Sequence, residues 1–201
     1  MQLEGGTRAV GRAAVRGELA RVAFPHFCER GFDSVTFDEL AAAAGVSRST
    51  FLRYFGSKED VVLFVFDPLE EIIRKGIAAC PPGEADWVAL RHGAAAAARQ
   101  LTSPTEEGLA LLRLVHTTPA LGARVRDKQA RWRDLMVAEL QARHHADGVP
   151  LLTLRVRVSA AFDCLTAALE AWLEQQGARD VHVLVDEAFL ALNELSASPR
   201  R

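Results

Sequence analysis

No stretch of this chain approaches the roughly 18 consecutive apolar residues needed to cross a bilayer; its longest aliphatic and aromatic run is Val61 to Phe66. A membrane-spanning protein is therefore not expected. An excess of charge of either sign is also missing. Lys and Arg number 24 against 26 Asp and Glu, a formal net charge of -2, so no global field draws the chain to a polyanion, and any affinity for nucleic acid must come from a few placed residues. Cysteine is scarce. Cys28, Cys80 and Cys164 are far apart and lack metal-like pairing with His, which predicts reduced, mostly buried thiols, a redox-sensing thiol being the alternative. There is no Gly-rich phosphate loop, no His/Cys/Asp cluster at metal spacing and no nucleophile elbow, and an enzyme, a cofactor and a metal are accordingly not expected. The histidines His26, His92, His116, His144, His145 and His182 are scattered, and the adjacent His144 and His145 point in different directions on a helix. The Arg-rich start superficially suggests a transit peptide but runs straight into a helix, and no apolar signal core precedes it, so cytoplasm is the expected location.

Strand patterns are nearly absent as well, and what is present is helical. The 201 residues, 49% hydrophobic, suffice for one substantial core or for a small domain attached to a larger one. A first helix is expected from about Arg8 to Arg30, stopped by Gly31, with Leu19, Ala23 and Phe27 inward. Pro25 inside it predicts a kink. Arg8, Arg12 and Arg16 recur every fourth residue, which fits either a solvated helical face or a basic arm beside a phosphate backbone. Further helices are expected from Ser57 to about Ala79, bent near Pro68 or broken there, from Asp86 to Leu101, over Leu109 to Val115, from Pro119 to about His145, from Leu151 to Gln176, and from Asp180 to Leu195.

The most specific signal lies at Thr36 to Lys58, TFDELAAAAGVSRSTFLRYFGSK. Thr36 followed by Glu39 fits a capping box, and Leu40, Ala43 and Ala44 supply an apolar face before Gly45 closes a short helix. Ser47 caps a second helix through Phe55. Two short helices separated by Gly45, Val46 and Ser47 make a helix-turn-helix that reads DNA. In the second helix Phe51, Tyr54 and Phe55 fall at i, i+3 and i+4 and can face the core, while Arg48, Ser49, Thr50, Leu52 and Arg53 project outward toward phosphates and base edges.

These residues resemble the TetR family of bacterial transcriptional repressors. The family pattern is matched here by Glu29, Arg30, Gly31 and Phe32, then Thr36, Asp38, Glu39, Ala44, Gly45, Val46, Ser47, Thr50, Tyr54, Phe55, Ser57, Lys58 and Glu59, over roughly the first 60 residues. The resemblance implies a DNA-binding set of Thr36, Arg48, Ser49, Thr50, Leu52, Arg53, Tyr54 and Lys58, with Lys58 facing phosphate. Leu52 stands where the family usually has Tyr, and Ser49 where Gly is usual, so the operator is not expected to copy a well-known one. The implied architecture is all-α with about nine helices: a helix-turn-helix DNA-binding domain over 1–57, and a ligand-binding and dimerisation domain over 58–201 whose first helix is the connector.

In the body, Val158, Leu165 and Trp172 lie seven apart with Leu154, Ala161 and Ala168 between them. Val181, Leu184, Ala188, Leu192 and Leu195 form a second stripe, widened by Val183, Leu190 and Ala191. These seams suggest a homodimeric four-helix bundle, with an interface of Val158, Leu165, Trp172, Leu184, Ala188 and Leu192, unless both stripes simply fill the core of one chain. A two-fold dimer predicts a near-palindromic operator in double-stranded DNA. Family resemblance further implies a small-molecule effector. Arg113 and His116, polar within an apolar helix, and Trp132, Met136 and Phe162 as apolar lining are the candidates, each also readable as an ordinary core or surface side chain. Leu111 to Leu135 and Arg53 to Asp60 resemble an actinobacterial subgroup with acyl-CoA-like ligands, which implies an elongated apolar effector whose anionic head would meet Arg113. The alternative is a constitutive or redox-responsive DNA-binding protein without an effector.

Overall fold

The computed structural model describes residues 3–81, 83–143 and 148–197, with side chains over 11–81, 83–143 and 148–193. Among them are ten α-helices and no strand: α1 (Leu3–Arg30), α2 (Phe37–Ala43), α3 (Arg48–Tyr54), α4 (Lys58–Leu63), α5 (Leu69–Ala78), α6 (Asp86–Thr102), α7 (Thr105–Thr117), α8 (Pro119–Arg143), α9 (Leu151–Glu174) and α10 (Val181–Ala197). The all-α class is as expected. The tenth helix arises because the connector is two helices rather than one bent helix. α4 ends at Leu63, a 3-10 turn covers Phe64–Phe66, and α5 starts after Pro68. Proline lacks the amide that would bond back to Phe64, so the ladder stops there and restarts with the Ile72 amide donating to Pro68 O at 3.1 Å. Pro25 does not end α1, which runs on either side of it. Ala23 and Phe27, both fully buried, hold that stretch against the core, and their burial offsets the missing bond. The helix begins at Leu3, one and a half turns before the expected start; the side chain of Arg8, and His144, His145 and Leu195's side chain, lie outside the described residues.

The chain divides into two compact units, Met1–Val65 with Leu114–Arg124, and Phe66–Arg113 with Val125–Arg201. In the first, α1 packs on α2 and α4, and α2 on α3. Its core is aromatic: Phe27 stacks on Phe32 at 5.3 Å, Phe51 meets Phe37 edge-on at 5.0 Å, and Phe55 lies 5.4 Å from Phe51. Burying Phe27, Phe32, Phe51 and Phe55 contributes about 1.5–3 kcal/mol each.

In the second unit α6 is central, packing on α5, α9 and α10. Its contact with α5 is made by two glycines. A Cβ on Gly76 would stand 2.8 Å from the Gly93 Cα and 3.1 Å from His92 O, so the helices approach backbone to backbone. Asp86, almost wholly buried at the start of α6, receives Arg157 Nη1 of α9 at 2.7 Å. Arg91 reaches Asp186 of α10 at 2.6 Å, and the Trp87 ring packs 4.5 Å from Phe189. No helix among the described residues is long and apolar enough to cross a membrane.

Candidate nucleic-acid interface

Both helices of the motif are fixed by their own end residues. Thr36 Oγ1 accepts from the Glu39 amide at 3.3 Å, and Glu39 Oε2 accepts from the Thr36 amide and hydroxyl, each at 2.8 Å. Arg30, at the end of α1, donates to Glu39 Oε1 at 2.7 Å and so ties α1 to α2. The Thr36 amide and hydroxyl, followed by the Arg30 guanidinium, hold the Glu39 carboxyl down at about 2. At the other end of α2 the Val46 amide bonds Ala41 O and the Gly45 amide bonds Ala42 O, both at 3.0 Å. This is a Schellman closure, and it requires the left-handed Gly45 at φ +67°. Ser47 Oγ then accepts from the Thr50 amide at 3.2 Å to start α3.

This turn exposes one face of α3. Arg48, Ser49, Leu52 and Arg53 are exposed, Thr50 and Tyr54 half-buried, and Phe51 fully buried beneath them. Leu52 is 43% exposed, an apolar side chain in the middle of the polar face. Ser47 Oγ lies 3.0 Å from both Ser49 Oγ and Thr50 Oγ1, a short hydroxyl chain over the first turn. Arg48 Nη1 contacts both carboxylate oxygens of Asp38, at 2.8 and 2.7 Å. Arg53 sits 5.6 Å from the centre of the Tyr54 ring.

Two of the expected DNA contacts are committed within the chain. The Thr36 hydroxyl is used in the capping box on both sides. Lys58 Nζ donates to Phe32 O at 3.0 Å and Val35 O at 2.8 Å, and lies 4.8 Å over the Phe32 ring. The α1–α2 turn leaves these carbonyls without helical partners, and a charge-assisted donor from α4 satisfies them. The arginines of α1 whose side chains are described likewise have partners within the chain. Arg12 donates to Arg53 O at the C-terminal end of α3 at 3.0 Å, and Arg16 lies over the rings of Phe55 and Phe64 at 5.1 and 4.9 Å. A cation at that end of α3 also complements its macrodipole.

Periodicity did not reveal Asp38, Arg30 or Arg12 as supports of this face. Their partners are 10, 9 and 41 residues away, and no within-helix spacing encodes such pairs.

The candidate effector residues do not converge. Met136 and Phe162 line an apolar cavity together with Ile73, Leu90, Ala94, Ala161 and Leu165. Trp132 is buried but outside that lining. Arg113 and His116 are exposed and outside that lining, and Arg113 Nη2 donates to Gln176 Oε1; the apolar side of α7 is carried by Leu111 and Leu114, both buried. The cavity itself measures about 10 Å³, room for about one water.

The expected dimer residues divide in the same way. Val158, Leu165, Trp172 and Leu184 are all buried within the single chain, Trp172 at 3% exposure. They lie where α9 and α10 pack on α6 and on each other. Ala188 and Leu192 are half-buried. The large apolar side chains exposed on these two helices are Leu151, Leu152 and Val156 of α9 and Val183 and Leu190 of α10, among the described residues. Neither Cys28 nor Cys164 is poised as a thiolate: burial pushes both thiols up, assisted by Glu29 and Asp163 respectively.

Residues 21–65, which span this motif, match the family described as bacterial regulatory proteins, tetR family. The chain is 30% identical over 112 residues to the HTH-type transcriptional regulator TcmR of Streptomyces glaucescens, a match covering 53% of this chain and 50% of that protein. The chain thus matches half the length of that curated relative. Its fold is shared with the fatty acid degradation regulator FadR from Bacillus halodurans, with TM-score 0.65, 18% identity, and 93% and 97% of the two chains covered. It is shared also with FadR from Bacillus subtilis, whose structure was determined in complex with stearoyl-CoA, with TM-score 0.64, 14% identity, and 87% and 96% covered. Residues 21–65, the helix-turn-helix region, thus match the tetR family of bacterial regulatory proteins, and the helical architecture around them is shared with solved regulators of this fold.

Proposed function

We propose that this chain is a cytoplasmic, non-enzymatic transcriptional regulator: a homodimeric repressor that binds a near-palindromic operator through α3 and releases it when an elongated apolar or acyl-type effector enters the body. The observation that carries the reading is the face of α3. Arg48, Ser49, Leu52 and Arg53 stand exposed on a helix whose opposite side is pinned by the buried Phe51, the arrangement a major-groove reader needs. Thr50 and Tyr54 flank that face. The functional division is a reading head over 1–57 and an effector and pairing body over 58–201. Pairing is assigned to the outer faces of α9 and α10, where Leu152, Val156, Val183 and Leu190 remain exposed.

An acyl-type effector is supported by the stearoyl-CoA complex of a protein with the same fold and by the apolar lining around Met136 and Phe162. Ligand pockets run to roughly 300–1,000 Å³, so α5, α6, α8 and α9 must part to admit one. The small cavity favours a second reading, a constitutive regulator with no effector. Binding of DNA flanking its own gene, across a salt series, tests both. The repressor reading expects sequence-selective, salt-sensitive binding that long-chain acyl-CoA reverses. Selective binding that a panel of metabolites never reverses, with no thermal stabilisation by any of them, supports the constitutive reading. Absence of selective binding sinks both.

A further inference from the structure

Asp38 is an odd residue to find beside a DNA-reading helix. It is exposed, its side chain 64% accessible, and a carboxylate near phosphates opposes binding. It sits in the first turn of α2, where the helix dipole already favours it without any partner. Arg48 is placed less favourably. It is the first residue of α3, at the positive end of that helix. A pair between two exposed side chains adds little stability, so neither helix needs this contact for its own sake.

The geometry says what the contact does. Arg48 Nη1 alone spans both Asp38 oxygens, and among the described residues Nη2 and Nε have no partner. A guanidinium held at one terminal nitrogen keeps its side-on edge, Nη2 and Nε, directed away from the anchor. Two parallel donors on one planar edge are what guanine O6 and N7 accept in the major groove. An unanchored arginine has several rotatable bonds and serves phosphates as readily as bases.

Resting on the reading of α3 as a DNA-binding helix, we propose that Asp38 is a positioning residue for specificity: it buttresses Arg48 so that the free guanidinium edge reads one guanine in each operator half-site. Arg48 makes the base contact, and Asp38 decides that the contact is to a base rather than to the backbone.

The test uses the full-length protein and a duplex selected from a random library by the wild type. Each guanine is replaced in turn by adenine and by 7-deazaguanine, which lacks the N7 acceptor. The wild type is expected to lose about 10- to 100-fold in affinity at one guanine per half-site, and Arg48→Ala to lose that discrimination. Asp38→Asn, close to isosteric, is expected to reduce discrimination at the same guanine by about tenfold while binding of unrelated DNA is unchanged or tighter. A purely structural role would instead lower the melting temperature and weaken all duplexes equally. If Asp38→Asn tightens selected and unrelated DNA alike and keeps the guanine preference, the carboxylate is only a repulsive neighbour and the proposal is overturned. A wild-type protein with no sequence preference at all removes the regulator reading itself, and this proposal with it.

Discussion

The Lys58 ammonium lies 2.8 Å from the carbonyl oxygen of Val35, joining the first turn of α4 to the segment between α1 and α2. With its second bond, to Phe32 O at 3.0 Å, it serves as the local cap of that turn. Lys58→Met is expected to destabilise the protein by about 1.5–3 kcal/mol, the usual cost of losing charge-assisted bonds to partly buried carbonyls. The measurement is the melting temperature without DNA, with Lys58→Arg recovering part of the loss. An unchanged melting temperature together with uniformly weaker DNA binding would return Lys58 to a phosphate-contacting role.

Gly76→Ala tests the crossing of α5 and α6. The added Cβ meets backbone of Gly93 and His92, which cannot swing aside as a side-chain tip would. Overpacking of this kind costs about 1–3 kcal/mol, more than the roughly 1 kcal/mol that alanine gains over glycine in a helix. Gly11→Ala on α1 meets nothing within 4 Å and is expected to stabilise by about 0.5–1 kcal/mol. Urea unfolding of the two variants should therefore shift in opposite directions.

The Glu39 capping box makes stability depend on pH in a defined window. Its carboxyl is lowered from 4.5 to about 2 in the fold. A depressed carboxyl contributes stability that is complete above its unfolded value and is lost as pH falls through the folded one. Wild type should therefore lose this contribution between about 4.5 and about 2. Glu39→Gln should show a flatter melting profile across that window and lower stability above it. Parallel profiles for the two proteins would show that the pairing with Thr36 and Arg30 is not linked to folding.

Leu190→Glu tests the proposed pairing separately from folding. Leu190 is 58% exposed, whereas Trp172 is 3% exposed, so the outer position tolerates a charge in one chain and the inner one does not. Leu190→Glu is expected to halve the mass in solution with the helical signal intact, and Trp172→Asp to unfold the body by burying an unpaired carboxylate. An unaltered mass for Leu190→Glu would overturn the proposed pairing through α10.

The motif was legible because its signals are local. Thr36 with Glu39, Gly45 after Ala44, and Ser47 before Arg48 each act within about four residues, the reach of a cap. The amphipathic stripes of α9 and α10 were equally legible as stripes. What they pack against was not, because periodicity marks a buried face without naming its neighbour. Val158, Leu165 and Trp172 therefore read as a dimer seam and lie in the core of the chain. Arg113 read as a pocket residue for a similar reason: its helix is mostly apolar, but Leu111 and Leu114 take the buried side.

The sequence by itself determined the helices, most of their boundaries, and the helix-turn-helix, since hydrogen bonding along one stretch of chain decides these. Tertiary structure alone decided that Lys58 is spent on Phe32 and Val35, that Asp38 holds Arg48, and that Leu152, Val156, Val183 and Leu190 are left exposed while Val158, Leu165 and Trp172 are buried. Each of those depends on which residues distant in the chain are brought within a few ångströms. That distance is set by how helices cross, and no residue's immediate neighbours contain it.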